Sequence, residues 1–274
     1  MSGRSSRWRL ALALLAGLAW ACGPRPPAPS PTPAAPTPAF VLLPFASRVQ
    51  PVTFPAADGV TLAGQTDWPP DQEQPPLVVI LHHSGAVDRD SYQYLAARLV
   101  PAGYAVFRFD KRGTGRSGGV YGCCEADDAL AAYRAAVAQP GYGPARVFIV
   151  AQSLGTRILA ERFADFQAVQ PPAGVALLSS LLRGEAVLSV RAPIHIIVAD
   201  SEPDLAEIGA AAQRAHQAAY AYGASLFVAP HAEHTLFDIS AGPIDWSAPD
   251  WPTRFSEDAW RSLAGWLAER AGRP

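Results

Sequence analysis

RVFIVAQSLGTRILAERF, residues 146–163, changes its periodicity at a single residue. As far as Ala151 it is a continuous run of β-formers, the pattern of a strand buried on both faces. Beyond Ser153, the large apolar residues Leu159, Phe163 and Phe166 recur at helical spacing. A strand that turns abruptly into a helix brings two backbones close together. Bulky side chains two before and two after the corner would collide, and here those positions hold Ala151 and Gly155. The corner residue is forced into a strained conformation, and its side chain stands clear of the sheet. The Ser153 Oγ is therefore expected at a helix N-terminus, where backbone N–H groups favour developing negative charge.

The same alternation extends in both directions. LVVIL (77–81), the YAVFRFD run ending at Asp110, GVALLSS, IHIIVA and SLFVAP read as further buried strands. Tyr92, Leu95 and Leu99 mark one helix, and Leu130, Tyr133 and Val137 another. The first turn of that second helix carries Glu125, Asp127 and Asp128, which suits the helix dipole. A helical segment from Asp204 to Tyr222 follows, and Trp260, Leu263 and Leu267 mark a closing helix. Upstream, PVTFPAADGVTLAGQTDWP reads as two strands around a turn at Asp58-Gly59. Buried strands alternating with helices predict an α/β fold, a mostly parallel sheet with helices on both faces. The chemistry of such sheets sits at the carboxyl ends of the strands. Ser153, several histidines and several carboxylates all fall there.

The chain has 274 residues, a formal net charge of -2 and 49% hydrophobic residues. That supports one sizeable core and lacks the basic face that a nucleic-acid binder needs. The start is different in kind. Arg4, Arg7 and Arg9 precede LALALLAGLAWA, an apolar stretch too short to span a bilayer comfortably, and Cys22 follows. This resembles a bacterial lipoprotein signal, in which the Cys after cleavage receives lipid. Ala19 and Trp20 depart from that pattern, and an ordinary secretory signal cut after Ala19 or Ala21 is the alternative. The Pro-rich run to Ala39 can form neither helix nor ladder and reads as a semi-extended tether. The expected organisation is a signal over 1–21, a tether over 22–39 and a single domain over 40–274. The expected location is outside the cytoplasm, lipid-anchored to a bacterial membrane through Cys22. Cys123 and Cys124 are adjacent, and the sequence leaves open a vicinal disulfide or two free thiols.

With LHHSG, DKRGTGRSGG, AQSLG, the acidic segment after PIHIIVA, and PHAEHTLF in order, the chain resembles the α/β-hydrolase family over about residues 50–270. The resemblance implies a Ser, acid, His order. Ser153 would be the nucleophile and His234 its base, with His231 the competitor. The family's spacing puts the acid at Glu202, with Asp200 and Asp204 as alternatives. The oxyanion donors would be the N–H groups of Leu154 and Ser84. The family often has His-Gly where this chain has His82-His83, which leaves the loop geometry open.

His82 is expected to hold that loop by hydrogen bonds, and His83 and Trp246 to contact substrate, with Trp251 beside them. Gly113, Gly115 and Gly118 form a GxGxxG, but no acid stands at the end of the next strand, so a tight loop is the better reading than a dinucleotide site. His82, His83, His231 and His234 could together suit zinc, although that would leave Ser153 without a role. Neither a cofactor nor a metal is called for. Only about a dozen residues separate ALLSS from PIHIIVA, so no large lid insertion is expected. The function expected is hydrolysis of a small ester through an acyl-enzyme. A peptidase or amidase on the same fold, or a catalytically silent lipoprotein binding module, stand as alternatives.

Overall fold

The computed structural model describes residues 40–143 and 146–273. The signal-like segment, Cys22 and the Pro-rich tether lie outside the described residues. Among the described residues, no helix is long and apolar enough to cross a membrane.

Eight strands form one sheet: β1 (Arg48–Pro55), β2 (Thr61–Trp68), β3 (Leu77–Leu81), β4 (Ala105–Phe109), β5 (Val147–Gln152), β6 (Gly174–Leu178), β7 (Ile194–Ala199) and β8 (Ala224–Ala229). Their spatial order is β1-β2-β4-β3-β5-β6-β7-β8. β1 and β2 pair antiparallel around the turn at Asp58-Gly59, β2 pairs antiparallel with β4, and every other pairing is parallel. The helices are α1 (Gln93–Leu99), α2 (Glu125–Val137), α3 (Leu154–Val169), α4 (Pro203–Ala219) and α5 (Glu257–Arg270).

Side-chain alternation divides the interior into two layers. Leu77, Val79 and Leu81 of β3 face α2, α3 and α4, through residues such as Leu130, Tyr133, Leu159 and Phe163. Val78 and Ile80 face α1 and α5, through Leu95, Leu99, Leu263 and Leu267. All five residues of β3 are buried, so the uninterrupted LVVIL run follows from having a helical layer on each side.

The sequence order reverses its spatial direction around β3, because β4 lies on one side of it and β5 on the other. Loops leaving the carboxyl ends of β3 and β5 therefore open a crevice between them, where ligands bind in open α/β sheets. The connection from β6 to β7 holds only a short 3-10 turn, Gly184–Ser189, with no inserted lid. α4 stops at Ala219, short of the expected Tyr222, because the Tyr220 hydroxyl donates to the Leu188 carbonyl at 2.7 Å and its ring stacks on Tyr222.

The DKRGTGRSGG loop after β4 is a knot of ion pairs. Asp110 receives both Nε (2.8 Å) and Nη2 (2.5 Å) of Arg89, together with the Arg116 N–H at 2.7 Å. Burial alone would raise the Asp110 carboxyl, but these donors outweigh it and hold it below its ordinary value. Arg112 bridges Asp128 and Asp58. The glycines close this loop on itself: Gly113 N–H donates to the Gly118 carbonyl at 3.0 Å, and a Cβ on Gly115 would collide with the Asp110 carboxylate. Their role is compaction around charge.

Phe40 and Arg273, the first and last described residues, are each held by contacts of their own. Phe40 packs its ring 5.0 Å from Trp251, and Val41 N–H donates to the Pro249 carbonyl at 2.7 Å. Arg273 donates to the carbonyls of Ala102 and Gly103, just before β4 begins.

Candidate active site

Ser153 stands between β5 and α3 with φ 50° and ψ -114°, a conformation that L-residues rarely adopt and that costs of order 1–3 kcal/mol. The surroundings enforce it. Ser153 N–H donates to the Leu178 carbonyl of β6 at 2.9 Å, and its carbonyl accepts from the Thr156 hydroxyl at 2.7 Å. The small residue after the corner is required by contact: a Cβ on Gly155 would lie 2.6 Å from the Leu81 carbonyl oxygen and 2.8 Å from that of His82.

The loops after β7 and β8 complete the cluster. His234 Nε2 lies 2.9 Å from Ser153 Oγ, and His234 Nδ1 lies 2.8 Å from Glu202 Oε2. The three side chains come from three separate strand ends and form one continuous line of hydrogen bonds. In this arrangement the imidazole can take the hydroxyl proton while the carboxylate orients the ring and stabilises its cation. The His234 and Glu202 side chains are 35% and 32% exposed, so a substrate can reach the imidazole from solvent.

The two other acids do different things. Asp200 accepts from the N–H groups of His231 (2.8 Å) and Ala232 (3.2 Å), so it clamps the start of the histidine loop. Asp204 is exposed in the first turn of α4. His231 is exposed and contributes its backbone to that clamp. Ser179 fixes the same loop from β6, its hydroxyl donating to the His234 carbonyl.

The expected oxyanion donors lie on two neighbouring loops, after β5 and after β3. Leu154 opens α3, so its N–H has no acceptor within the helix. Around Ser84, the N–H of His83 donates to Tyr92 Oη at 2.8 Å and that of Gly85 to Tyr121 Oη at 2.9 Å. The Ser84 N–H between them has no protein acceptor among the described residues. Replacing Gly by His at 83 brings no backbone strain, since His83 is not among the residues with positive φ. Its carbonyl is held by Lys111 Nζ at 2.6 Å, itself paired with Glu125 at 2.8 Å. Burial, then the nearby Lys111 and His234 charges, lowers the His83 imidazole to about 4.

His82 departs from expectation. It makes no hydrogen bond: both ring nitrogens are buried without a protein partner. It packs instead between Phe109 and Tyr92, with ring centroids 4.4 and 4.9 Å away, and burial pushes its pKa well below the usual value. The four histidines weighed as a zinc set do not gather, and no group of three His, Cys, Asp or Glu suited to a metal ion occurs among the described residues. Cys123 and Cys124 are exposed free thiols whose Sγ atoms lie 2.6 Å apart.

Beside Gln152 and His83 opens a cleft of about 410 Å³. Its walls include Tyr92, Phe237, Trp246 and Trp251, with Glu233 and Thr235 from the histidine loop. His83 and Trp246, the two expected substrate contacts, both line it. Periodicity marks Tyr92 only as a helix-face core residue, and in sequence Gln152 is a spacer before Ser153. Together they form the brace behind the site.

A strained strand-to-helix corner at Ser153, on a mostly parallel sheet of this order, decides the fold. The chain has the α/β-hydrolase fold. Residues 73–207 match the family described as serine aminopeptidase, S33. No curated protein matches the chain. Solved structures share the fold at low identity. An esterase from Pyrococcus furiosus superposes with a TM-score of 0.58 at 16% identity, covering 85% of this chain and 96% of that one. The esterase domain of a Rhodothermus marinus protein gives 0.58 at 18%, covering 81% and 98%. A dienelactone hydrolase-like promiscuous phosphotriesterase from metagenomic libraries gives 0.56 at 16%, again covering 81% and 98%. The family match ends at residue 207, so the histidine loop and the Trp-rich wall of the cleft fall beyond it.

Proposed function

We propose that this α/β-hydrolase is a serine hydrolase that cleaves a small carboxylic ester. Ser153 attacks the acyl carbonyl as His234 takes its proton, with Glu202 orienting the imidazole. The tetrahedral oxyanion is received by the N–H groups of Leu154 and Ser84. His234 then protonates the leaving alkoxide, and water, deprotonated by the same imidazole, releases the acid from Ser153. The observation that carries this reading is the unbroken pair of contacts, 2.9 Å and 2.8 Å, joining Ser153, His234 and Glu202. The ester preference is supported by neighbouring structures described as esterases and by the site's lack of a lid.

A fluorophosphonate probe tests the mechanism. Labelling of the wild type but not of Ser153→Ala is expected; a folded wild type that stays unlabelled overturns the reading and favours a silent binding module. The description of the matching family favours a second reading, an aminopeptidase or amidase. Acyl esters of graded chain length assayed beside aminoacyl amides separate the two. Export and lipid anchoring through Cys22 belong to the same proposal and rest on the basic, apolar and cysteine pattern at the start of the chain. Loss of the protein from the membrane fraction in Cys22→Ser is the expected result, and retention there overturns the anchor.

A further inference from the structure

The cleft beside Gln152 and His83 carries one carboxylate. Of the residues lining it, Glu233 bears the one carboxylate and none is Lys or Arg, while the His83 imidazole is held at about 4. No Lys or Arg among the described residues pairs with Glu233. Its Oε1 is committed to its own loop, accepting from the N–H groups of Thr235 (2.9 Å) and Phe237 (3.1 Å) and from the Thr235 hydroxyl. Oε2 has no protein donor among the described residues. An unpaired carboxylate anchored by one oxygen can offer the other to whatever enters.

Much of the remaining wall is aromatic. Phe237, Trp246 and Trp251 meet edge to face, with centroids 5.2 to 5.5 Å apart and interplanar angles of 60° to 80°. Trp246 is 46% exposed at the rim, an unusual position for so large an apolar ring. Ring faces carry negative quadrupole density, which attracts cations and repels anions. Carboxylate and ring faces thus select for the same sign.

We propose that the cleft receives an alkylammonium group, so that the preferred esters are cationic; this rests on the ester hydrolase reading above. Glu233 supplies the countercharge and Trp246 a face for the alkyl shell of the cation. The hydrolysis itself is unchanged: the ester bond breaks, water adds across it, and the ammonium leaves on whichever product carried it.

The test uses two isosteric pairs. Acetylthiocholine against 3,3-dimethylbutyl thioacetate places the charge on the thiol side. A betaine thioester against the 3,3-dimethylbutyrate thioester of the same thiol places it on the acyl side. In the wild type at low salt, kcat/KM is expected to favour the cationic member of at least one pair by about tenfold. Glu233→Gln keeps the acceptor that Thr235 and Phe237 need, and should bring that ratio close to one. A wild-type ratio near one in both pairs overturns the proposal. So does a Glu233→Gln variant that slows cationic and neutral esters equally, which would assign Glu233 to the neighbouring His234 instead. Titration of tetramethylammonium against tryptophan fluorescence reads binding without turnover. Saturable quenching that weakens in Glu233→Gln and in Trp246→Ala is expected, and none in the wild type sinks the idea. Fluorophosphonate labelling with no cationic preference leaves the hydrolase reading standing and removes only this one.

Discussion

The Tyr92 hydroxyl donates to Gln152 Oε1 at 2.7 Å. That bond is the middle of a chain, because His83 N–H donates to the same hydroxyl at 2.8 Å and Gln152 Nε2 donates to the Thr235 carbonyl at 3.0 Å. The loop after β3, the Ser153 corner and the histidine loop are thereby set in register by two side chains. Catalysis tolerates little slack between a nucleophile, its base and its oxyanion donors.

Tyr92→Phe should therefore impair the reaction while leaving the ring packing intact. Two buried partners lose their bond, at about 1–3 kcal/mol of stability. A fall in kcat of about tenfold with little change in KM is expected from loosened positioning. Steady-state kinetics beside a urea melt reads both effects. An unchanged kcat with lowered stability would make the brace purely structural.

Glu202 and Asp200 are two residues apart, and their variants should diverge. Glu202→Gln removes the charge behind His234 and is expected to lower kcat by about 10³ to 10⁴-fold with the fold retained. Asp200→Ala removes the clamp on His231 and Ala232, so its main expected loss is stability, about 1–3 kcal/mol. Comparable losses of kcat in both, at equal stability, would reopen the assignment of the acid.

Strain at the corner predicts a trade between stability and turnover. Ser153→Gly accepts φ 50° without penalty, and is expected to gain about 1 kcal/mol in denaturant unfolding while losing activity. Gly155→Val forces a side chain against the Leu81 and His82 carbonyls, and should lose about 2–4 kcal/mol. A Ser153→Gly variant less stable than Ser153→Ala would contradict the strain argument.

His195 gives a pH signature remote from the site. It lies between the Ser225 and Ser262 hydroxyls, each 2.8 Å away, and stacks on Trp266; burial lowers its pKa to about 4. The unfolded chain binds this proton near pH 6.5 and the folded protein only near 4. Stability is therefore fully present above 6.5 and lost as pH falls toward 4, by about 3 kcal/mol from this group. His195→Gln should flatten the urea-midpoint profile over that interval. A profile as steep as that of the wild type would assign the dependence to His82 and His83.

What could be read from the residues follows from which interactions have a period. Two-sided burial leaves runs such as LVVIL, and one-sided burial leaves Leu130, Tyr133 and Val137, so strands and helices are legible. Ser153 is legible because sterics restrict its neighbours to Ala151 and Gly155. The choice between Glu202 and Asp200 is not, since both lie in one turn and differ only in whether the carboxylate meets a ring or a backbone. The Tyr92 hydroxyl is invisible for a similar reason: helical spacing reports where the ring goes and nothing about its oxygen. His82 misleads because an imidazole in a loop suggests hydrogen bonds, whereas this one serves as an aromatic plate between Phe109 and Tyr92.

The contact of Phe40 with Trp251 has a practical side for anyone attaching this protein to something else. Residue 40 itself stands beside a wall of the cleft, whereas Arg273 is fastened just before the amino end of β4, away from the carboxyl ends of the strands. Beads, electrodes or fusion partners joined directly at residue 40 would crowd the entrance. Joined at the rear, they leave it facing open solution.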